Sequence, residues 1–333
     1  MLILTNFERF PENWRSTTGL TGRAIMLKTA WQFLRHARQC DLIVINSAVR
    51  LVFQLSALFL LFPFLRKPIM SHDIVLRQPR SRKARLTAPI KRFLLSRIDH
   101  FTLHFRILDG YQKYFGVGPN RASYLPSKPN IRYRYQYNVD PEGEYILCFG
   151  RSERDYDTFF AAMSQLTYPA AIPPPNFAQL AKHASRFTWQ LSDLPPNIRI
   201  LEDDGSVQSL IHIIEKARLV VLPILKSRIA PSGIGTYLNA MLMGKCVIMS
   251  EGPGTSDVLT EEALMTPPED ANALAAMIRR VWEDDALRLR TAKAGRLYSE
   301  NCGGEPELRQ RVLDRAIEKL YLVNLPRSQS RLV

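Results

Sequence analysis

A chain of 333 residues with 46% hydrophobic and 10% aromatic side chains can bury a large core and is long for a single domain, so two domains are expected. Its formal charge of +14 is uneven: residues 1–140 hold 23 Lys and Arg against 7 Asp and Glu, a net +16, and the rest sums to −2. The basic part is suited to a polyanion or an anionic membrane surface, while four scattered cysteines (Cys40, Cys148, Cys246 and Cys302) without a C-x-x-C pair exclude zinc and disulfide frameworks and read as buried thiols of a reducing compartment.

The opening MLILTNF has no secretory pattern and predicts a strand at residues 2–5, and a cytoplasmic location is expected. A Thr-, Gly- and Ser-rich loop at 11–22 leads into a predicted helix at 23–39, and DLIVIN at 41–46 is a strand of the kind buried on both faces. The apolar run at 51–65 falls short of the roughly 20 residues of a membrane span and contains Gln54, Ser56 and Pro63, so it predicts a buried helix between two strands, with a helix dipping into a membrane interface as the second reading and a true span the third. A strand at 68–71, a basic helical region, a strand at 101–105 and a short helix at 110–115 follow. This β-α-β-α alternation implies a parallel sheet whose ligands sit at the carboxyl ends of its strands.

From Pro126 to Pro141 the text becomes PSKPNIRYRYQYNVDP, without apolar periodicity, and the domain boundary is expected at 138/139. The second sheet opens with a strand at 144–150, followed by a helix at 156–166, a short strand at 169–175 running into a proline turn, and a strand at 198–201. Asp204-Gly205-Ser206 marks the start of a helix at 206–217. Further on come a strand at 219–222, a helix at 236–243 stopped by Gly244, a strand at 246–249, and helices at 271–282 and 285–299. The last helix, 305–323, has an apolar stripe at Leu308, Val312, Ala316 and Leu320, and the tail from Pro326 reads as unstructured.

Chemistry concentrates in two places of this second domain. A glycine loop with Ser232, Gly233, Gly235 and Thr236 stands between a strand and a helix, where unpaired N–H groups and the helix dipole make an anion site suited to phosphate. Gly150-Arg151-Ser152-Glu153-Arg154-Asp155 follows the first strand, with Arg151 a candidate for phosphate and Arg154 either a second cation or a local partner of Asp155. Lys226, in the loop before the glycines, is a further phosphate candidate. The acidic pairs Asp155/Asp157, Asp203/Asp204 and Asp284/Asp285 read as helix caps, and no metal site is expected.

In the first domain, Ser71-His72-Asp73 ends a strand, which makes Asp73 and His72 candidates for a general base. From Arg77 to Arg97 there are eight basic residues and no acidic one, interleaved with Leu86, Ile90, Phe93, Leu94 and Leu95. Such an element reads as contact with a membrane surface or as a clamp on an anionic acceptor. A nucleic acid is not an expected partner, since no RNA- or DNA-binding motif accompanies the charge.

Asn239-Ala240-Met241-Leu242-Met243-Gly244-Lys245-Cys246-Val247-Ile248 resembles the sugar-donor signature of GT-B glycosyltransferases, family four (group one) in particular. That family reads E-G-F-G-x-x-x-x-E-A-M-A-x-G-x-P-V-V, and Ala240, Met241, Gly244 and Val247 hold matching places. Asn239 stands at the second glutamate, which in the family holds the ribose, and either Pro231 or Ser232 stands at the first. The family's G-R-x-x-x-x-K-G, whose Arg and Lys neutralise the diphosphate, is matched by Gly150 and Arg151; its Lys position falls on Tyr156, with Arg154 the nearest basic residue.

The resemblance implies an α/β protein of two Rossmann-like, doubly wound parallel-sheet domains facing a cleft. Residues 1–138 would hold the acceptor and face the membrane, 139–305 would bind the nucleotide sugar, and the helix of 306–333 would cross back to the first domain. The implied activity is metal-independent transfer of a sugar from a nucleoside-diphosphate sugar, with no cofactor, to a glycan or lipid-linked acceptor, on the inner face of the membrane. An inactive relative that only binds a glycan or a membrane, and a sugar-nucleotide epimerase of the same architecture, are the alternatives.

Overall fold

A computed structural model describes residues 1–131, 142–226 and 229–322. The chain divides into two compact units, one of Met1–Pro126 with Pro306–Val333 and one of Ser127–Glu305. The boundary expected at 138/139, the helix end at Val323 and the tail from Pro326 lie outside the described residues.

The first unit is built on a seven-stranded sheet of β1 (Leu2–Thr5), β2 (Asn13–Arg15), β3 (Thr21–Met26), β4 (Leu42–Asn46), β5 (Ile69–His72), β6 (His100–Leu103) and β7 (Ala122–Tyr124). Their order is β2-β3-β1-β4-β5-β6-β7, parallel apart from the β2–β3 pair. Between the strands run α1 (Ala30–His36), α2 (Val49–Leu61), α3 (Arg82–Leu95) and α4 (Asp109–Phe115), packed side by side in a row.

The helix expected from residue 23 begins later. Residues 21–26 form a strand beside β1 in which Arg23 N donates to Met1 O and Leu27 N to Thr5 O. Gly22 lets the buried Trp14 lie against this strand, since a Cβ there would stand 2.3 Å from the indole ring. Helix α1 starts only where Thr29 and Gln32 close a capping box, a T-x-x-Q pattern visible in the sequence.

The second unit has a six-stranded, all-parallel sheet of β8 (Tyr145–Cys148), β9 (Ala170–Ile172), β10 (Ile198–Ile200), β11 (Ala217–Leu222), β12 (Cys246–Ser250) and β13 (Leu264–Thr266), in the order β10-β9-β8-β11-β12-β13. Its helices are α5 (Tyr156–Met163), α6 (Phe177–Lys182), α7 (Val207–Glu215), α8 (Ile234–Leu242), α9 (Ala271–Glu283) and α10 (Asp285–Cys302). Strand residues alternate between faces. Leu147, Val220 and Val247 pack with α7 and α8, while Ile146, Val221 and Ile248 pack with α5 and α9. The sheet is thus covered on both sides, as the apolar strands required.

The last helix, α11 (Glu305–Ala316), continued by a π-helical turn at Ile317–Tyr321, belongs to the first unit from Pro306 onward. Its stripe of Leu308, Val312, Ala316 and Leu320 is buried against Ile3, Leu42, Val44 and Met70. The alternate residues Leu4, Ile43 and Ile69 face the row of α1 to α4. Asp314 accepts from Thr17 N at 2.9 Å and Gln310 Nε2 donates to Arg15 O at 3.1 Å, fixing the register of the helix on the sheet. All four cysteines are buried, and none of them forms a disulfide. Among the described residues, no helix is long and apolar enough to cross a membrane.

Candidate active site

In the second sheet β8 and β11 are central neighbours, and the chain leaves them in opposite directions, to β9 and β10 on one side and to β12 and β13 on the other. Such a switch point separates the loops at the carboxyl ends of the strands and leaves a crevice. A cavity of about 1060 Å³ lies here, walled by the loops after β8, β9 and β10 and by the glycine loop that opens α8.

Arg154 is the best-buried cation of its wall, 1% exposed. The backbone around it is pinned to the segment after β11 by Asp155 N to Pro223 O (3.0 Å) and Leu225 N to Glu153 O (3.1 Å). Its guanidinium donates from Nε to Phe149 O at 3.0 Å, from Nη1 to Ser152 O at 3.1 Å and from Nη2 to Thr236 Oγ1 at 3.1 Å. Two of its five N–H groups are thus left over, and it forms no ion pair among the described residues. Burial pulls its pKa below the usual arginine value, against Tyr156, Cys148 and Glu153. A buried cation of this kind is costly until an anion arrives beside it.

Asp155, the neighbour that offers a local partner in the sequence, points elsewhere. It caps α5 at Thr158 and receives both Nε and Nη2 of Arg186, at 2.9 and 2.5 Å. Asp157 accepts from Thr188 N and Oγ1, both at 2.7 Å. The other acidic pairs are also used structurally: Asp203 and Asp204 close turns onto Gly205 N and Ser206 N, Asp284 caps α10, and Asp285 meets Arg218 and Arg288. No group of three His, Cys, Asp or Glu side chains among the described residues is placed to hold a metal ion.

Two glycines embrace the guanidinium. Gly150 has φ +108° and Gly233 φ +82°, and a Cβ on either would stand 2.6 or 2.7 Å from Arg154 Nη2. Gly233 is also the N-cap of α8, so the N–H groups of that helix's first turn open beside the arginine. Ser232 stands behind the wall, buried, and donates to Ser152 O at 2.6 Å, which locks the two loops together. Gly254, in the second glycine turn, supports the first from below: a Cβ there would meet Pro231 Cβ at 2.5 Å.

Asn239 lines the cavity from α8. Its Oδ1 accepts from Asn130 N at 2.8 Å and Ile131 N at 3.3 Å, so the side chain at the family's glutamate position holds the segment that leads into this unit. With the oxygen engaged as acceptor, the amide NH₂ is the end left to donate. Gly235 is needed for the same contact, because a Cβ there would lie 2.2 Å from Asn130 Nδ2.

Seven of the expected residues thus line one cavity: Gly150, Arg151, Arg154, Gly233, Gly235, Thr236 and Asn239. Arg151 is exposed at the rim, so the better-placed cation is Arg154. Lys226 is exposed and is not among the lining residues. The opposite wall, with Asn176, Phe177, Asp203 and Leu210, was not anticipated. The signal was the proline turn and the Asp-Gly-Ser cap, both of which follow strands and therefore stand at the ligand edge.

The other two candidates are at the end of β5 in the first unit. His72 is buried, shares a hydrogen bond with Thr102 Oγ1 at 2.9 Å, stacks on Phe7 and meets His104 edge-on at 5.0 Å between ring centres. Burial, with His104 and Arg311 nearby, pushes its imidazole well below the usual histidine range. It stands as a neutral, buried side chain at the carboxyl end of β5. Asp73 is half-buried, has φ +49° and accepts from Ser47 Oγ at 3.0 Å; Ser47 itself has φ +47°. Two non-glycine residues in the left-handed region at adjacent strand ends mark a strained edge of the kind found at working sites.

Residues 144–284 match the family described as Glycosyl transferases group 1. The fold is GT-B. Solved structures that share it include a sucrose-phosphate synthase from Thermosynechococcus elongatus (17% identity, TM-score 0.65, 97% of this chain and 89% of that one). The Anabaena protein Alr3699/HepE in complex with UDP is another (13%, 0.65, 89% and 86%), and it has also been solved with UDP-glucose. A glycosyltransferase from Rickettsia africae is a third (14%, 0.61, 90% and 85%). No curated protein matches the sequence. The matched segment spans the six strands and nearly all the cavity wall, so the GT-B likeness and the switch-point crevice fall on the same residues.

Proposed function

We propose that this chain transfers a sugar from a nucleoside-diphosphate sugar, held in the cavity of the second unit, to a glycan or lipid-linked acceptor in the making of a cell-surface polysaccharide. The observation that carries this is the buried guanidinium of Arg154 with N–H groups to spare, set between two glycines and beside the start of α8. Breaking the glycosidic bond puts charge on the departing diphosphate. A fixed cation and helix N-terminal amides stabilise that charge without reorganising. The reaction so drawn needs no metal or cofactor, because the chain's own groups neutralise the leaving group. The UDP and UDP-glucose complexes of the Anabaena protein support the substrate class.

In this reading the acceptor belongs to the first unit, where Asp73 at the end of β5 takes the proton of the attacking hydroxyl. The +16 of residues 1–140 holds the protein peripherally on the inner, anionic face of the membrane. The test is a panel of UDP-, GDP-, ADP- and TDP-sugars, with release of nucleoside diphosphate followed for the wild type and Arg154→Met. Release by the wild type alone supports the reading. Binding without release, with or without acceptor, would make the chain a binding protein of the same fold, and interconversion of the free nucleotide sugar would make it an epimerase.

A further inference from the structure

Helix α3 is built inside out for a helix in water. Of Arg82–Leu95 only Leu95 is buried, while Leu86, Ile90 and Phe93 are 78%, 61% and 52% exposed. Their spacing of four and three residues puts them on one line of the helix, and that line faces solvent. Cations flank it: Arg82, Lys83 and Arg85 at its start and Arg97 past its end, whose guanidinium lies 5.3 Å from the Phe93 ring. None of these forms an ion pair among the described residues.

The neighbouring helix repeats the pattern. Helices α2 and α3 each connect adjacent parallel strands, so both run from the carboxyl edge of the sheet to its amino edge. At the amino edge, where Phe93 stands on α3, the end of α2 exposes Leu61 (73%) and the turn after it Phe64 (70%), followed by Lys67 and by Arg66, which pairs with Asp99 at 2.7 Å.

We infer that the solvent face of α3, with the tip of α2, is the element by which this chain sits on an anionic lipid bilayer, the apolar side chains entering the acyl region and the cations lying among the headgroups. Charge complementarity selects this occupant. The stretch from Arg77 to Arg97 has eight cations and no acidic residue, and Arg82, Lys83, Arg85 and Arg97 have no carboxylate partner among the described residues, so a negatively charged surface fits them. Leu86, Ile90 and Phe93 also stand out from this face as separate exposed side chains. A protein would need a shaped acidic pocket for each, whereas a bilayer interface offers apolar depth and surface charge together. The inference deepens the peripheral-membrane part of the proposed function and rests on that part, not on sugar transfer.

The test is sedimentation of the full chain with vesicles of phosphatidylcholine alone and of phosphatidylcholine with one-third phosphatidylglycerol. Binding is expected to the anionic vesicles only. It should weaken about tenfold or more both in Leu86→Ser/Ile90→Ser/Phe93→Ser and in Arg82→Gln/Lys83→Gln/Arg85→Gln, whose substituted side chains are at the surface. An environment-sensitive dye on Leu86→Cys should shift to the blue on vesicles, a readout independent of affinity; the native thiols are buried. Three results overturn the inference: no binding to anionic vesicles at low salt, binding that the apolar triple variant retains in full, or tighter binding to duplex DNA than to the vesicles. Titration with UDP, GDP, ADP and TDP separates the two readings, since vesicle binding by a chain that ignores all four sinks the sugar-transfer reading and leaves this one standing.

Discussion

Arg154 and Thr236 are 82 residues apart, yet the arginine's Nη2 donates to the threonine hydroxyl at 3.1 Å. The bond ties the loop after β8 to the first turn of α8 across the switch point of the sheet. It also aims a buried cation at the place where the helix presents its free amides.

Replacing Arg154 by Met should weaken nucleoside-diphosphate binding by about 30-fold or more, since removing one side of a buried charged contact costs on the order of 2–5 kcal/mol. Arg151→Ala, at the exposed rim, should cost less than about tenfold, in line with a screened surface charge. Isothermal titration with UDP gives both values. Equal losses would put the rim arginine and the buried one on the same footing and remove Arg154 from the centre of the site.

Gly233→Ala should be worse than its one added methyl suggests. At φ +82° the backbone strain costs about 1–2 kcal/mol, and the new Cβ also collides with the guanidinium. Gly205, at φ +76° with open space around its Cβ position, isolates the backbone contribution alone. Urea melts should therefore rank Gly233→Ala below Gly205→Ala, and the first should lose UDP binding as well.

Asn239→Leu strips the acceptor from Asn130 N and Ile131 N and should destabilise the second unit by about 1–3 kcal/mol, mostly the cost of leaving the buried Ile131 donor unpaired. Asn239→Asp keeps both acceptor positions and should cost much less. Chemical denaturation of the two variants tells a structural bond from a residue that serves only a ligand.

Low pH should loosen the first unit. Burial, helped by Lys319 and Arg315, pushes His100 down to about 4, and His72 lies well below its usual value. The unfolded chain binds these protons near pH 6.5 while the folded one resists them. Stability is therefore complete above about pH 6.5 and falls as the pH drops toward 4, by on the order of 3 kcal/mol for His100. The slope of melting temperature against pH over this window should flatten in His100→Asn; an unchanged slope would place the acid sensitivity elsewhere.

The sequence was most legible where burial dictates residue type. LIVIN, YILC and CVIMS have no polar face to offer, so they could only be the covered strands β4, β8 and β12. Short edge elements such as β7, β13 and α6 were missed because three to six residues at a sheet margin carry little periodicity. Residues 21 and 22 were expected in a loop and 23–26 in a helix, and only pairing with β1 and the packing of Trp14 make them a strand. The candidate site was half visible: its glycines and arginines were named from spacing. Which arginine is central depended on Asp155 turning to Arg186, a partner 31 residues away that no local pattern announces.

The most direct measurement is a crystal structure of the chain with UDP. The diphosphate should lie against the Arg154 guanidinium and the N–H groups that open α8, with the nucleoside toward Asn239 or the wall of Phe177 and Leu210. A cavity that stays empty at saturating UDP, GDP, ADP and TDP alike, or a diphosphate bound away from Arg154, would contradict the assignment of this crevice as the nucleotide-sugar site.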